Sequence, residues 1–187
     1  MWRINLVFLA ATCIFSACEC ASVVETAAGS RTARLTNIRY FQSSWAHMVD
    51  GSDLEEVEKS DTGAAGLGLT ADTVVAVVVH GRESSVYSDF GNTLRFSLAQ
   101  ADPDLVIIMV DWSYLSYSSY QQAVATVPFI ATDLREFIAL LVSDGNLALS
   151  NLHLIGFDLG AHIVGIASRN AATRAIKITA LDPAGAL

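Results

Sequence analysis

The stretch Leu152-His153-Leu154-Ile155-Gly156-Phe157-Asp158-Leu159-Gly160-Ala161-His162 decides how this chain folds. It opens on a short apolar run and passes into residues that suit a helix, with a glycine two positions before and two positions after Asp158. A backbone that turns from strand to helix within one residue presses those two positions together, and only the smallest side chains leave room. Gly156 and Gly160 therefore read as the glycines of a sharp strand-turn-helix with Asp158 at its tip.

Outward from this turn, residues 73–79 form a β-branched run, as expected of a strand buried on both faces of a parallel sheet. Similar runs fill residues 105–110, 152–155 and 176–181. Helical stretches lie between them. The clearest places Ile130, Leu134, Phe137, Ile138 and Leu141 on one face, with Thr126 and Pro128 read as its entry signals. Strands alternating with helices predict an α/β fold, a mostly parallel sheet covered on both faces.

The chain has 187 residues, of which 52% are hydrophobic and 16% charged, enough apolar content for one sizeable core. A net charge of -8 and a pI near 4.8 leave no surplus of Lys and Arg, which argues against a nucleic-acid partner and a polybasic membrane anchor. Residues 1–20 read as a signal peptide: Arg3 gives the charged start, residues 6–15 the apolar run, and the small residues around Ser16 to Ala21 the cleavage region. The run is too short to span a bilayer, and no later stretch reaches transmembrane length, so a secreted, extracellular product is expected. Cys13, Cys18 and Cys20 all fall in or beside that segment, which leaves the mature body without a disulfide framework of its own.

Residues 21–72 read as an N-terminal extension and acidic connection, with order beginning near Asn37, a candidate strand at residues 37–41 and a surface connection at residues 49–68. The acids Asp50, Asp53, Glu55, Glu56, Glu58 and Asp61 lack the spacing of an EF-hand loop, so they are read as a solvated loop. No metal or other cofactor is expected. Residues 73–187 make up the α/β part, with no internal repeat or second domain boundary.

Functional groups of open α/β sheets gather at the carboxyl ends of strands. The residues found there are His80-Gly81-Arg82, Asp111-Trp112, the turn from Gly156 to His162, and Asp182-Pro183-Ala184-Gly185. Four ordered pieces, Val78-Val79-His80-Gly81, Val110-Asp111-Trp112, the Gly156 to His162 turn and Ile178-Thr179-Ala180-Leu181-Asp182-Pro183-Ala184-Gly185, resemble the secreted neutral lipases of the pancreatic-lipase type. Insect lipases, phospholipases A1 and yolk proteins are relatives within that family. The resemblance implies an α/β-hydrolase fold over residues 73–187 and a Ser-Asp-His triad. By position it places Asp158 at the nucleophile, Asp182 at the triad acid, the backbone N–H groups of Arg82 and Leu159 at the oxyanion hole, and Gly156 and Gly160 at the elbow.

Two departures from the family pattern bear on chemistry. Asp158 replaces the serine, and the family's catalytic histidine lies well downstream of the acid, whereas this sequence stops at Leu187. The chain is thus expected to be an N-terminal fragment, C-terminally incomplete, with an open sheet edge after residues 176–181. A serine hydroxyl acylates once a histidine removes its proton; a carboxylate attacking an ester gives a mixed anhydride that the departing alcohol reverses. Asp158 is either a helix N-cap held by the helix dipole or a nucleophile for sp3 carbon, like the aspartates of haloalkane dehalogenases and epoxide hydrolases.

The remaining candidates receive lesser roles. His162 is expected to be buried beneath the sheet, His80 to order the oxyanion loop, His153 to be a strand residue, and His47 to have no role. Asp111 and Trp112 are expected to brace the loops. The Arg82 side chain, where the family carries a bulky apolar residue, is expected to pair with Asp158 or to disfavour an acyl chain. Tyr114, Tyr117 and Tyr120 are read as loop packing or as an apolar rim for lipid. Three functions follow: a catalytically impaired lipase-family protein that binds or stores lipid, an active carboxylic ester hydrolase (triacylglycerol lipase or phospholipase A1), and an Asp-nucleophile hydrolase. The expected partner is a lipid or ester ligand, with association at a lipid surface.

Overall fold

In a computed structural model the described residues are 38–51, 54–170, 173, 175 and 177–185. Residues 1–20, read as a signal peptide, the three cysteines and residues 21–36 lie outside them. Six strands are described: β1 (Arg39–Ser43), β2 (Glu55–Val57), β3 (Val75–Val79), β4 (Val106–Asp111), β5 (Leu152–Phe157) and β6 (Lys177–Leu181). They form one sheet in the order β2-β1-β4-β3-β5-β6. The pairs β3–β4, β3–β5 and β5–β6 are parallel, and β1 runs antiparallel to both β2 and β4.

Centrality follows from composition. Every residue of β3 is buried, so its Val-Ala-Val-Val-Val run faces helices on both sides and has no polar face to give to water. Val75, Val77 and Val79 join one core, which the long helix lines, and Ala76 and Val78 join the other. This is the period-two alternation of a strand sorting neighbours to opposite faces.

Six α-helices are found among the described residues: α1 (Trp45–Asp50), α2 (Asp61–Gly66), α3 (Asp89–Ala101), α4 (Ser113–Ser116), α5 (Tyr120–Ser143) and α6 (Leu159–Ala167). One core collects Ala123, Ile130, Leu134, Phe137 and Leu141 of α5 with Ile163 and Val164 of α6 beneath β3 and β5. The opposite core packs Leu94, Leu98 and Ala99 of α3, with Trp45 and Met48 of α1, against Phe41, Ile107 and Met109. Tyr40 stacks on Phe137 with ring centroids 3.8 Å apart. Its hydroxyl donates to Asp133, whose other oxygen accepts from Lys59 at 2.7 Å, so β1 and the second residue after β2 are both tied to α5.

Two sequence expectations change here. α5 begins at Tyr120, not beside Thr126, and Pro128 sits about two turns inside it. Ser119 opens the helix instead, with Gln122 Oε1 accepting from the Ser119 N–H at 3.3 Å. Ala123 and Val127 carry the buried face of residues 130–141 backwards, and that packing outweighs the missing proline N–H. The stretch read as a surface connection at residues 49–68 holds β2 and α2. β2 is three residues long with only Val57 buried, too short for its alternation to show in sequence. α2 is capped by Ser60, whose Oγ accepts from the Gly63 N–H at 3.1 Å.

The described elements belong to one compact unit, residues Asn37–Leu187. No helix among the described residues is long and apolar enough to cross a membrane. The mostly parallel sheet with helices on both faces is an α/β-hydrolase fold.

Candidate functional site

The carboxyl ends of β3, β4, β5 and β6 bring their terminal residues to one rim of the sheet. At its centre β5 turns into α6 through Asp158, which holds φ 52 and ψ -118. A non-glycine residue rarely takes a positive φ, and it persists only where surrounding contacts fix it. Those contacts are present. The Asp158 N–H donates to Leu181 O at 3.1 Å, and the Asp158 carbonyl accepts from the N–H groups of Ala161 at 3.2 Å and Ala184 at 3.3 Å.

The glycines are required by close approach. A Cβ on Gly156 would lie 2.6 Å from Ala161 Cα, and one on Gly160 would lie 2.6 Å from His80 O. Neither neighbour yields, because both are backbone. Gly81 faces the same constraint from the other side, since a Cβ there would lie 2.6 Å from Asp158 Cβ and 2.8 Å from its Oδ2.

The Asp158 side chain lies against the Gly81–Arg82 peptide. Its Oδ2 accepts from the Arg82 backbone N–H at 2.8 Å. Asp158 is the N-cap residue of α6, as expected, but its half-buried carboxylate makes no side-chain capping hydrogen bond to that helix. The Arg82 guanidinium pairs with Glu83 and not with Asp158, which corrects the expected side-chain pairing. The N–H expected from the sequence to serve an oxyanion therefore meets a side-chain carboxylate oxygen. Leu159, the other expected donor, is buried as the first residue of α6.

Behind the Gly81–Arg82 peptide stands a buried polar assembly. The His80 Nδ1 lies 2.8 Å from Gly81 O. Trp112 donates its backbone N–H to His80 Nε2 at 3.1 Å and its indole N–H to His80 O at 2.8 Å, and the two rings stack with centroids 5.4 Å apart. Asp111 Oδ1 lies 3.3 Å from His80 Nε2 and accepts from the Ser113 N–H at 3.3 Å, while Oδ2 takes the Arg39 guanidinium at 2.7 Å. Burial alone would raise the Asp111 carboxyl, but the adjoining His80 ring together with hydrogen bonds from Arg39 and Ser113 outweighs it and holds the group well below the usual carboxylate range. The His80 share requires a proton on Nε2, which the Trp112 N–H opposes; Arg39 and Ser113 donate whichever state the ring takes.

Asp182 follows β6 as an exposed residue with φ 41. The loop after it is fastened to the elbow. His162 Nε2 meets Ala184 O at 2.8 Å, and the Tyr120 hydroxyl donates to Gly185 O at 3.0 Å. His162 is thus exposed and on the rim, contrary to the expected buried position. At Ala161 and Ile163 the helix turns its flanks inward, and residue 162 falls between them toward the loop.

His153 meets Thr179 at 2.8 Å across β5 and β6, where burial and the nearby Lys177 push its pKa down. His47 sits in α1 beside Ser44 and Glu55. Tyr114 and Tyr117 are exposed, at 72% and 62%, whereas Tyr120 is committed to Gly185. Among the described residues no group of three or more His, Cys, Asp or Glu side chains is placed to hold a metal ion.

Arg39 is the site-linked residue that the sequence reading missed. It lies in a short strand before the α/β alternation and faces Asp111 only through the β1–β4 register. No spacing in the sequence announces a partner 72 positions away.

The chain is 34% identical to lipoprotein lipase of Rattus norvegicus over 110 residues, which is 58% of this chain and 23% of the relative. It is 33% identical to lipoprotein lipase of Homo sapiens over the same share of each chain. The aligned segment therefore spans about a quarter of the length of these relatives. Among solved structures, the Francisella virulence factor BioJ matches at 20% identity and a TM-score of 0.36, covering 53% of this chain and 32% of that one. The family described as Lipase matches residues 30–187, and the chain belongs to the Lipase family.

Proposed function

We propose that this is a secreted lipase-family protein, impaired in ester hydrolysis, that binds or stores a lipid or ester ligand at the rim around Asp158. The observation that carries the reading is the Asp158 carboxylate on the Arg82 N–H at 2.8 Å. An ester carbonyl that entered would meet an anion where the family places an alcohol, and its developing oxyanion would have to displace that anion from the donor. Neither step leads to an acyl-enzyme. Exposed Tyr114 and Tyr117 at the same rim offer amphipathic rings suited to a lipid surface. The signal-peptide reading of residues 1–20 supports secretion.

The test is exposure of the purified protein to a short-chain nitrophenyl ester, to a fluorophosphonate probe and to a fluorescent fatty-acyl ligand. The expected result is saturable binding of the fatty-acyl ligand without turnover or covalent labelling. Sustained ester hydrolysis that disappears in Asp158→Ala would overturn the reading and return the chain to active ester hydrolysis.

The same contact favours a second reading. With Oδ2 held by a backbone N–H, Oδ1 is the oxygen to attack an sp3 carbon, displacing halide or opening an epoxide, and the carbonyl of the new ester stays on that N–H. Intact-mass measurement after incubation with a haloalkane or an epoxide separates the readings. A covalent adduct located on Asp158 supports the nucleophile; an unmodified mass supports the impaired protein.

A further inference from the structure

We propose that Arg39 is a positioning residue for the oxyanion-donor peptide Gly81–Arg82, acting through Asp111 and His80. The inference rests on the reading of the Arg82 N–H as the donor at this site, and it holds for either function proposed above.

The geometry follows from a single peptide group. All described peptide bonds are trans, so the carbonyl of Gly81 and the N–H of Arg82 point in opposite directions from one plane. A group that fixes the carbonyl also aims the N–H. His80 Nδ1 fixes the carbonyl at 2.8 Å, and the N–H reaches Asp158 Oδ2 at 2.8 Å on the far side. A carbonyl oxygen only accepts, so the His80 proton must reside on Nδ1.

The ring can hold that orientation because its other side is closed. The Trp112 backbone N–H donates to Nε2, and the indole stacks on the imidazole at an interplanar angle of 9°. Asp111 Oδ1 is the nearest acid to the ring, at 3.3 Å from Nε2. Without a competing cation, that carboxylate would draw the proton from Nδ1 to Nε2, breaking the bond to Gly81 O and freeing the peptide to rotate. Arg39 supplies the cation. Its guanidinium holds Asp111 Oδ2 at 2.7 Å, with the Ser113 N–H on Oδ1, and so lowers the carboxylate's pull on the ring. Antiparallel register places Arg39 directly opposite Asp111, so β1 delivers this charge to the rim. A one-residue slip would send it to the other face.

The test reads the tautomer and the peptide directly. In the intact protein at pH 7.5, imidazole nitrogen shifts are expected to place the His80 proton on Nδ1; a proton on Nε2 with Nδ1 bare overturns the proposal without any mutation. In Arg39→Met, hydrogen exchange at the Arg82 amide is expected to accelerate about tenfold or more relative to the Val79 amide of the neighbouring strand. Equal acceleration at both amides, with the Nδ1 proton retained, marks Arg39 as structural only and also overturns it. If Arg39→Met does not fold, His80 variants give the same decision. His80→Asn places an N–H near the Nδ1 site and is expected to keep Arg82 protection near wild type, whereas His80→Gln, reaching toward the Nε2 site, is expected to lose it. Indistinguishable behaviour of the two variants sinks the role of Nδ1. None of these readouts uses ester turnover, so discovery of hydrolytic activity would revise the proposed function and leave this inference standing.

Discussion

Asp111 ends β4 and Asp158 follows the end of β5, so two neighbouring regions of one rim present a carboxylate in opposite surroundings. Asp111 is buried, paired with Arg39 and wrapped by Ser113, His80 and Trp112. Asp158 is half-buried, stands on strained backbone and takes its side-chain hydrogen bond from a main-chain N–H, that of Arg82. The lesson is that position at a strand end does not assign a role. A carboxylate balanced by a cation in the interior becomes framework, because removing it strands its partners; one held by a backbone donor at the surface stays available to a ligand, the role proposed for Asp158.

The sharpest way to break the comparison is at the framework end. Trp112→Ala removes a fully buried indole together with its hydrogen bond to His80 O, and should cost about 3–5 kcal/mol. Urea unfolding checks this; a loss below about 1 kcal/mol would mean that the region relaxes freely and is no framework.

Asp111→Asn is expected to cost less, about 1.5–3 kcal/mol near neutral pH, since Arg39 is partly exposed and can turn to water. The pH dependence has a definite sign. The folded-state carboxyl is held below its ordinary value of 3.8, so its contribution is complete above that value and is lost as pH falls through the lower folded one. Wild type and variant should therefore converge in stability as pH drops below 3.8, and a gap that stays constant would show that the charge of Asp111 is irrelevant.

At the Asp158 end the expected effect is smallest. Asp158→Gly loses the bond to the Arg82 N–H but relieves a positive φ, and thermal unfolding should shift by no more than about 0.5 kcal/mol equivalent. A loss above about 2 kcal/mol would make Asp158 framework too and erase the distinction.

Much of the rim was legible because its constraints are local. Gly156 and Gly160 are four residues apart and separated by one turn, so their need for small side chains is written in the sequence itself. The buried runs of β3 and β4 announced themselves by lacking any polar face. The start of α5 was not legible, because Pro128 gives a strong local stop signal that only the packing of Ala123 and Val127 overrides. Nor was the exposure of His162, which depends on where the loop after β6 crosses the end of α6. The Arg39–Asp111 pair lay outside any sequence pattern, since a charge on a short early strand reads as solvated until register is known.

The amino-acid sequence by itself determined the alternating strands and helices, the glycine-flanked bend and the presence of a carboxylate at its tip, because each depends on residues within a few positions of one another. Tertiary structure alone decided what that carboxylate touches, which nitrogen of His80 faces the Gly81 carbonyl, and which cation balances Asp111. Those contacts join strands far apart in the chain, and only sheet register and the packing of the rim bring their atoms within hydrogen-bonding distance.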